Sequence, residues 1–456
     1  MKKLTLCFLS ALILFTACTP TTPTIVEDAT LSADDVSDIL STIEVEANVT
    51  KEATNEPSPE AELNPTPEKE IMHEVNQTEI EKLARANNSF AFKLFQELKS
   101  EQDNTFYSPY SLYQALTMIY AAARAGTAEQ FEAVLALPWT NDRVHELSKA
   151  MNDSLIAQNT NDQKEDANFS LNIANGLWTQ KDLHIEQAFL DLLADNYQTE
   201  NQSVDFSQAQ EAADLINAWV EEKTEGKIRD IAQPGMFNSN TSLALTNAVY
   251  FNAAWRVPFN EANTQKENFT LLDGENLQVD MMFQNENFNV LKNDKIQLVE
   301  LPYAKSTIVM DLISPLDGDW ESFINGLDAE QLEAYLEQMS NNSVNLKMPK
   351  FRVETPEMDL IRPLQSLGLV DVFGMAADLS GMTGDKSQFI STLVQKAFID
   401  VDEAGTEAAA ATLAIAQTKG MFNPDPVEIT FDKPFVYLIR DTETGAILFL
   451  GSLMRP

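Results

Sequence analysis

The sequence predicts an α+β fold with large β-sheets, carried behind an exported leader and an acidic stalk. Three observations predict it. Beyond Asn76, helical and strand patterns alternate with no repeat and no internal linker. Several of the strand-like runs are apolar on both faces, as central strands are. The 456 residues are 44% hydrophobic, enough for a large buried core. Length alone suggests two or three domains.

The leader comes first. Lys2 and Lys3 precede the apolar run Leu4 to Phe15, which is too short to span a bilayer and reads as a secretory signal over residues 1–17. Phe15-Thr16-Ala17-Cys18 resembles the bacterial lipobox. That resemblance implies lipidation of Cys18, a membrane partner through this anchor, and a location at the cell envelope or cell surface. Cys7 leaves with the signal and Cys18 carries lipid, so no disulfide is expected. Residues 18–75 are rich in Thr, Pro, Glu and Asp, with Pro57, Pro59, Pro65 and Pro67 in an acidic stretch. Such a composition buries too little apolar area to offset ordering entropy, and predicts a disordered stalk.

The folded part is expected at 76–456. Ile80, Leu83, Ala84, Phe90, Ala91, Leu94, Phe95 and Leu98 have the spacing of an amphipathic helix over Glu79–Leu98, and Ser111–Ala123 and Gln208–Lys223 read the same way. Strands are predicted over Leu243–Phe251, Ile308–Ile313, Val344–Met348, Phe398–Val401 and Ile447–Leu453.

Charge and motif content exclude several functions. A net charge of −39 repels phosphate backbones, which argues against nucleic acid and against a basic polysaccharide-binding face. The three histidines, His73, His145 and His184, sit in no catalytic or metal-binding pattern, and nucleophile elbows, Gly-rich phosphate loops and Cys/His clusters are missing. No enzyme activity, metal or cofactor is predicted.

A series of motifs runs from Asn104 to Gly451. It begins with Asn104-Thr105-Phe106-Tyr107-Ser108-Pro109-Tyr110-Ser111-Leu112 and continues with Leu245-Thr246-Asn247-Ala248-Val249-Tyr250-Phe251, Trp255 and Phe259. Pro349-Lys350-Phe351, Ala377-Asp378-Leu379-Ser380-Gly381-Met382 and Lys396-Ala397-Phe398-Ile399-Asp400-Val401 follow. After Asp402-Glu403-Ala404-Gly405-Thr406-Glu407-Ala408-Ala409-Ala410-Ala411-Thr412, the series ends in Lys433-Pro434-Phe435 and Phe449-Leu450-Gly451. In this order the motifs resemble the serpin family. The resemblance implies one compact domain of three sheets and about nine helices with an exposed reactive-centre loop, in place of the two or three domains that length suggests. It implies a shutter at Ser108 and Asn247 beneath the central sheet. Gln395 stands where the family usually has His, and its amide can still donate and accept there. It further implies that Glu403 pairs with Lys350 near Trp255, at the breach where the loop enters the sheet. Serine proteases are the implied partners, with cysteine proteases a further class, and the protein is expected to be a monomer.

The resemblance implies that the protein inhibits serine-type endopeptidases as a suicide substrate, by bait-loop cleavage, acyl-enzyme trapping and loop insertion, and the loop has the composition that this mechanism needs. On propensity alone, Glu403–Gln417 is a helix. Read at period two, one face holds Thr406, Ala408, Ala410, Thr412, Ala414, Ala416 and Thr418, all small and uncharged. A strand that slides into a packed sheet can bury only such side chains. Family spacing from the hinge places the bait bond at Lys419-Gly420, which suits trypsin-like proteases. Cleavage further along, within Met421 to Asn423, would suit chymotrypsin-like or elastase-like ones. Two other readings are a non-inhibitory serpin acting as a binding or scaffold protein, and a substrate-binding lipoprotein.

Overall fold

The computed structural model describes residues 75–139, 142–159, 169–197, 199, 201–316, 318–406 and 425–456. The chain begins in helices: α1 (Gln77–Leu98), α2 (Pro109–Tyr120), α3 (Ala125–Val134), α4 (Asp142–Asn159), α5 (Gln187–Tyr197) and α6 (Ala209–Lys223). Four shorter helices follow at Trp320–Gly326, Ala329–Leu336, Ile361–Ser366 and Ser380–Thr383. Asn76 caps α1 in a reciprocal box with Glu79, and Ser108 caps α2 just before Pro109, whose missing N–H costs nothing in a first turn.

The strands are β1 (Thr105–Tyr107), β2 (Phe169–Gln180), β3 (Asn201–Val204), β4 (Leu243–Ala254), β5 (Gln265–Thr270), β6 (Asn276–Lys292), β7 (Ile296–Pro302) and β8 (Ile308–Pro315). They continue as β9 (Ser340–Pro349), β10 (Phe351–Glu354), β11 (Met358–Asp359), β12 (Ile390–Val401), β13 (Gly405–Thr406), β14 (Val427–Thr430), β15 (Phe435–Asp441) and β16 (Ile447–Leu453). One sheet runs β10-β12-β13-β4-β2-β3, with β11 beside β12; the other runs β1-β16-β15-β8-β7-β6-β9-β14, with β5 beside β6. The α+β class with large sheets expected from the sequence is the one observed. Hydrogen bonding joins the described strands into two sheets where three are expected, because β6, at 17 residues, pairs with β5 at one end and with β9 and β7 further along. The α-helices among the described residues number ten, against the expected nine or so.

The larger core fills the space between the two sheets and α1–α5, with Phe90, Phe95, Tyr113, Phe251 and Phe449 buried in it. A smaller cluster, containing Trp178, Phe206, Ile216 and Val220, seats α6 on the other face of the first sheet. β12 reaches back eleven residues before Val401, further than its apolar run suggests, because its polar residues find partners: Gln395 across the sheet and Ser391 on the Leu243 carbonyl.

Candidate functional site

Two stations on the seam between β12 and β4 hold the residues singled out in the sequence. From Ile390 to Ala397, β12 pairs directly and in parallel with Leu243–Val249 of β4. Above that the strands part, and β13 lies between them, antiparallel to both: Thr406 is opposite Val401 on one side, and Gly405 and Thr406 are opposite Ala254 and Ala253 on the other.

At this upper station the chain turns tightly into the sheet. The Asp402 carboxylate accepts the Ala404 and Gly405 N–H groups at 2.8 and 3.2 Å, an Asx-type turn. The Trp255 N–H donates to the Ala404 carbonyl, its indole N–H to the Asp402 carbonyl, and the Phe259 N–H to the Glu403 carbonyl, each at 2.9 Å. Position 405 must be glycine, since a Cβ there would stand 2.2 Å from the Ala253 carbonyl oxygen. Thr406 is fully buried, and its hydroxyl meets the Tyr303 hydroxyl at 2.6 Å. Tyr303 in turn stacks on Trp255 with ring centroids 4.6 Å apart.

The Lys350 ammonium lies 2.6 Å from the Glu403 carboxylate, which also accepts the Thr264 hydroxyl at 2.7 Å. Burial alone would raise the Glu403 pKa. The hydrogen bonds from Lys350 and Thr264 outweigh it and hold this carboxyl below its ordinary range, while the same pairing raises Lys350. Trp255, Lys350, Glu403, Ala404, Gly405 and Thr406 are thus brought together. Sequence reasoning misses Thr264 and Tyr303; Asp402 stands in the hinge motif, and its position as an Asx residue three before a glycine is the signal for its turn.

The lower station is neutral, with Ser108, Ser111, Asn247 and Gln395 buried and Asn175 half-buried at its edge. Gln395 and Asn247 are direct partners across the seam, and the Gln395 amide donates to the Asn247 carbonyl oxygen. Gln395 also exchanges two hydrogen bonds with the Ser108 backbone, accepting its N–H at 3.1 Å and donating to its carbonyl at 3.0 Å. The Ser108 hydroxyl caps α2 and donates to the Leu448 carbonyl at 2.7 Å. Asn247 donates to the Ser111 hydroxyl at 2.5 Å and to the Asn175 amide oxygen, and Asn175 donates back to the Ser111 carbonyl at 3.3 Å. Ser108, Asn247 and Gln395 are therefore tied into one network. Ser111 and Asn175, which complete it, were missed. Ser111 is a helical turn from Ser108; Asn175 gives no sign in the sequence that it faces inward.

Cys18, Glu407, Ala408, Ala409, Ala410, Ala411, Thr412, Lys419 and Gly420 lie outside the described residues. Elsewhere, His145 is buried with a ring nitrogen 2.6 Å from the Tyr197 hydroxyl, and burial pushes its pKa down to about 4. His184 is exposed beside Glu186. Among the described residues, no group of three or more His, Cys, Asp or Glu could hold a metal ion, and no helix is long and apolar enough to cross a membrane.

The family model for serpins, described as serine protease inhibitors, matches residues 85–456. An uncharacterized serpin-like protein of Thermococcus kodakarensis is 35% identical over 89% of this chain and 92% of its own length. The leukocyte elastase inhibitor of Sus scrofa is 36% identical over 83% of this chain and all of its own length. Among solved structures, human thyroxine-binding globulin superimposes with a TM-score of 0.73 at 28% identity, over 83% of this chain and 99% of that one.

Proposed function

Because the chain belongs to the serpin family, we propose that it inhibits serine-type endopeptidases as a suicide substrate, using the segment after Glu403 as bait. The observation that carries this reading is β13. Gly405 and Thr406 are already strand-paired on both edges, and buried Thr406 is the first of seven small, uncharged residues at period two. Extending that strand downward exchanges one ladder of the seam for two, and buries no charge on the core face.

In the proposed cycle, the protease nucleophile adds to the Lys419 carbonyl, the Gly420 amine leaves, and the acyl-enzyme is held on the loop. The freed segment then continues down the seam. About 14 residues of strand at roughly 3.3 Å each carry the acylated end close to 46 Å. A domain of this size has a diameter of roughly 54 Å, so the protease is dragged nearly across it. Lys419 favours trypsin-like proteases, whose pocket takes a long cation; a bond at Met421 or Phe422 would shift preference to chymotrypsin-like or elastase-like ones. Cysteine proteases, which also form acyl-enzymes, are a further target class. The leader and Cys18 support an exported, lipid-anchored monomer at the cell envelope, with residues 18–75 giving reach.

The test is to mix the protein, lacking its signal, with trypsin and examine a denaturing gel. A covalent adduct is expected, together with a marked rise in melting temperature of the loop-cleaved protein. Quantitative cleavage with no adduct would sink the reading. It would favour a non-inhibitory binding protein instead, for which the likeness to thyroxine-binding globulin is the supporting observation.

A further inference from the structure

Between β2 and helices α2, α4, α5 and α6 lies a cleft of about 580 Å³, within the size range of small-molecule sites. Among the described residues that line it there is no carboxylate, although Asn172 at its edge donates to Glu225 at 3.0 Å. The larger groove between α1 and the helix Ala329–Leu336 is lined by Glu81, Asp328, Glu330, Glu333 and Glu443. Six carboxamides take their place in the cleft: Gln114, Asn152, Asn172, Asn175, Asn196 and Gln202. The Gln114 side chain is buried, with the Tyr110 hydroxyl, one helical turn earlier, as its polar neighbour. Trp219 lines the same space, set edge-on against Trp178 with ring centroids 5.4 Å apart, and the Lys223 ammonium lies 6.0 Å over its ring.

We propose that this cleft binds a neutral, hydroxyl-rich ligand of about disaccharide size. A carboxamide offers two donors and an acceptor without charge, matching sugar hydroxyls that donate and accept at once. Trp219 supplies the flat apolar surface against which the C–H face of a sugar ring packs. A single lysine among six amides does not suit a polysulfated chain.

Occupancy should reach the seam, a consequence that rests on the proposed loop insertion. The cleft is walled by α2, α4 and α5, which pack in the larger core, and by α6, which packs in the smaller cluster on the other sheet face. It also exposes Asn175, which holds Ser111 and Asn247 in the lower station. A ligand bridging these walls ties together parts that must shift when β4 leaves β12, and so slows trapping.

Binding is read by calorimetry and Trp fluorescence on the uncut protein, with cellobiose and N,N′-diacetylchitobiose as probes, independently of any protease. At least one probe should saturate a single site below about 10 mM. Binding should weaken tenfold or more in Asn152→Leu/Gln202→Leu, and should weaken in Gln114→Leu. No saturation by either probe, undiminished binding in both variants, or tighter binding of a sulfated disaccharide overturns the site. An unchanged trapping rate at saturating disaccharide overturns the coupling alone.

Discussion

The two stations on the β4–β12 seam solve different problems with different chemistry. At the top, where β13 already separates the strands, the contacts are backbone hydrogen bonds and a Lys350–Glu403 pair whose lysine is 39% exposed. Lower down, where the strands still touch, the contacts are uncharged amides and hydroxyls with no exposure at Asn247 or Gln395. Water can compensate a charge that moves at the top. It does not reach Asn247 or Gln395, where separating a buried ion pair would strand two desolvated charges at several kcal/mol. Neutral amides could exchange one partner for another under the proposed insertion. The contrast teaches that charge sits where β13 already separates these strands, and neutrality where they are still paired.

The strongest way to break the comparison is to put charge on the inserting face. Thr406→Arg places a guanidinium where a fully buried hydroxyl now meets Tyr303. Burying it unpaired costs several kcal/mol. The expected outcome is loss of the covalent adduct with cleavage by trypsin retained, read on the same gel; unchanged trapping would refute the proposed buried face.

Asn247→Leu attacks the lower station. It removes the acceptor of Gln395 and the donor to Ser111 and Asn175, three hydrogen bonds at about 1 kcal/mol each, although each group keeps one other partner. A loss near 3 kcal/mol in denaturant unfolding is expected. A loss below about 1 kcal/mol would mean that the network rearranges freely.

How much of this was legible in the sequence depends on the kind of signal each residue leaves. Lys350, Glu403, Gly405 and Ser108 stand in motifs, and the structure pairs Lys350 with Glu403, sets Gly405 against Ala253 and ties Ser108 to Gln395. The amphipathic span of α1 and the apolar runs of β4 and β16 were readable from periodicity because burial dictates residue type there. Tyr303, Thr264 and Asn175 were not. Each acts through a partner far along the chain, and a Tyr or Asn in a strand looks the same whether it faces solvent or a buried partner. β12 was read as Phe398–Val401 because Ser391, Thr392, Gln395 and Lys396 break its apolar run, and only tertiary partners explain why they are tolerated.

Gln395→His sharpens the contrast by making the neutral station titratable. A neutral imidazole can accept the Ser108 N–H and donate to Asn247 as the amide does, but the protonated ring donates from both nitrogens and faces the Ser108 N–H with a second donor. Below about pH 6.5 the variant should lose roughly 1 kcal/mol of stability relative to its value at pH 8, a slope that the amide at 395 does not produce. Parallel pH curves for the two proteins would show that this position does not feel the charge.

The smallest effect is expected at the top, from Glu403→Gln. The carboxyl's pKa is lowered in the folded protein, so its stabilisation is fully present above the unfolded carboxyl range near 4.5 and fades as pH falls through the lower folded value. Lys350 is raised from 10.5, so its share persists up to that value and fades above it. Between about pH 5 and 10 the pair should therefore contribute a constant amount, and with the ammonium 39% exposed that amount is about 1 kcal/mol or less. Replacing Glu403 by Gln keeps the shape and an acceptor for Thr264 while removing the charge. The variant should fall slightly behind the parent at pH 7 and converge with it as pH falls through the lowered Glu403 value, with the difference shrinking in high salt. A deficit of 3 kcal/mol or more at pH 7 would mean that the pair is effectively desolvated, and that the upper station is as closed to water as the lower one.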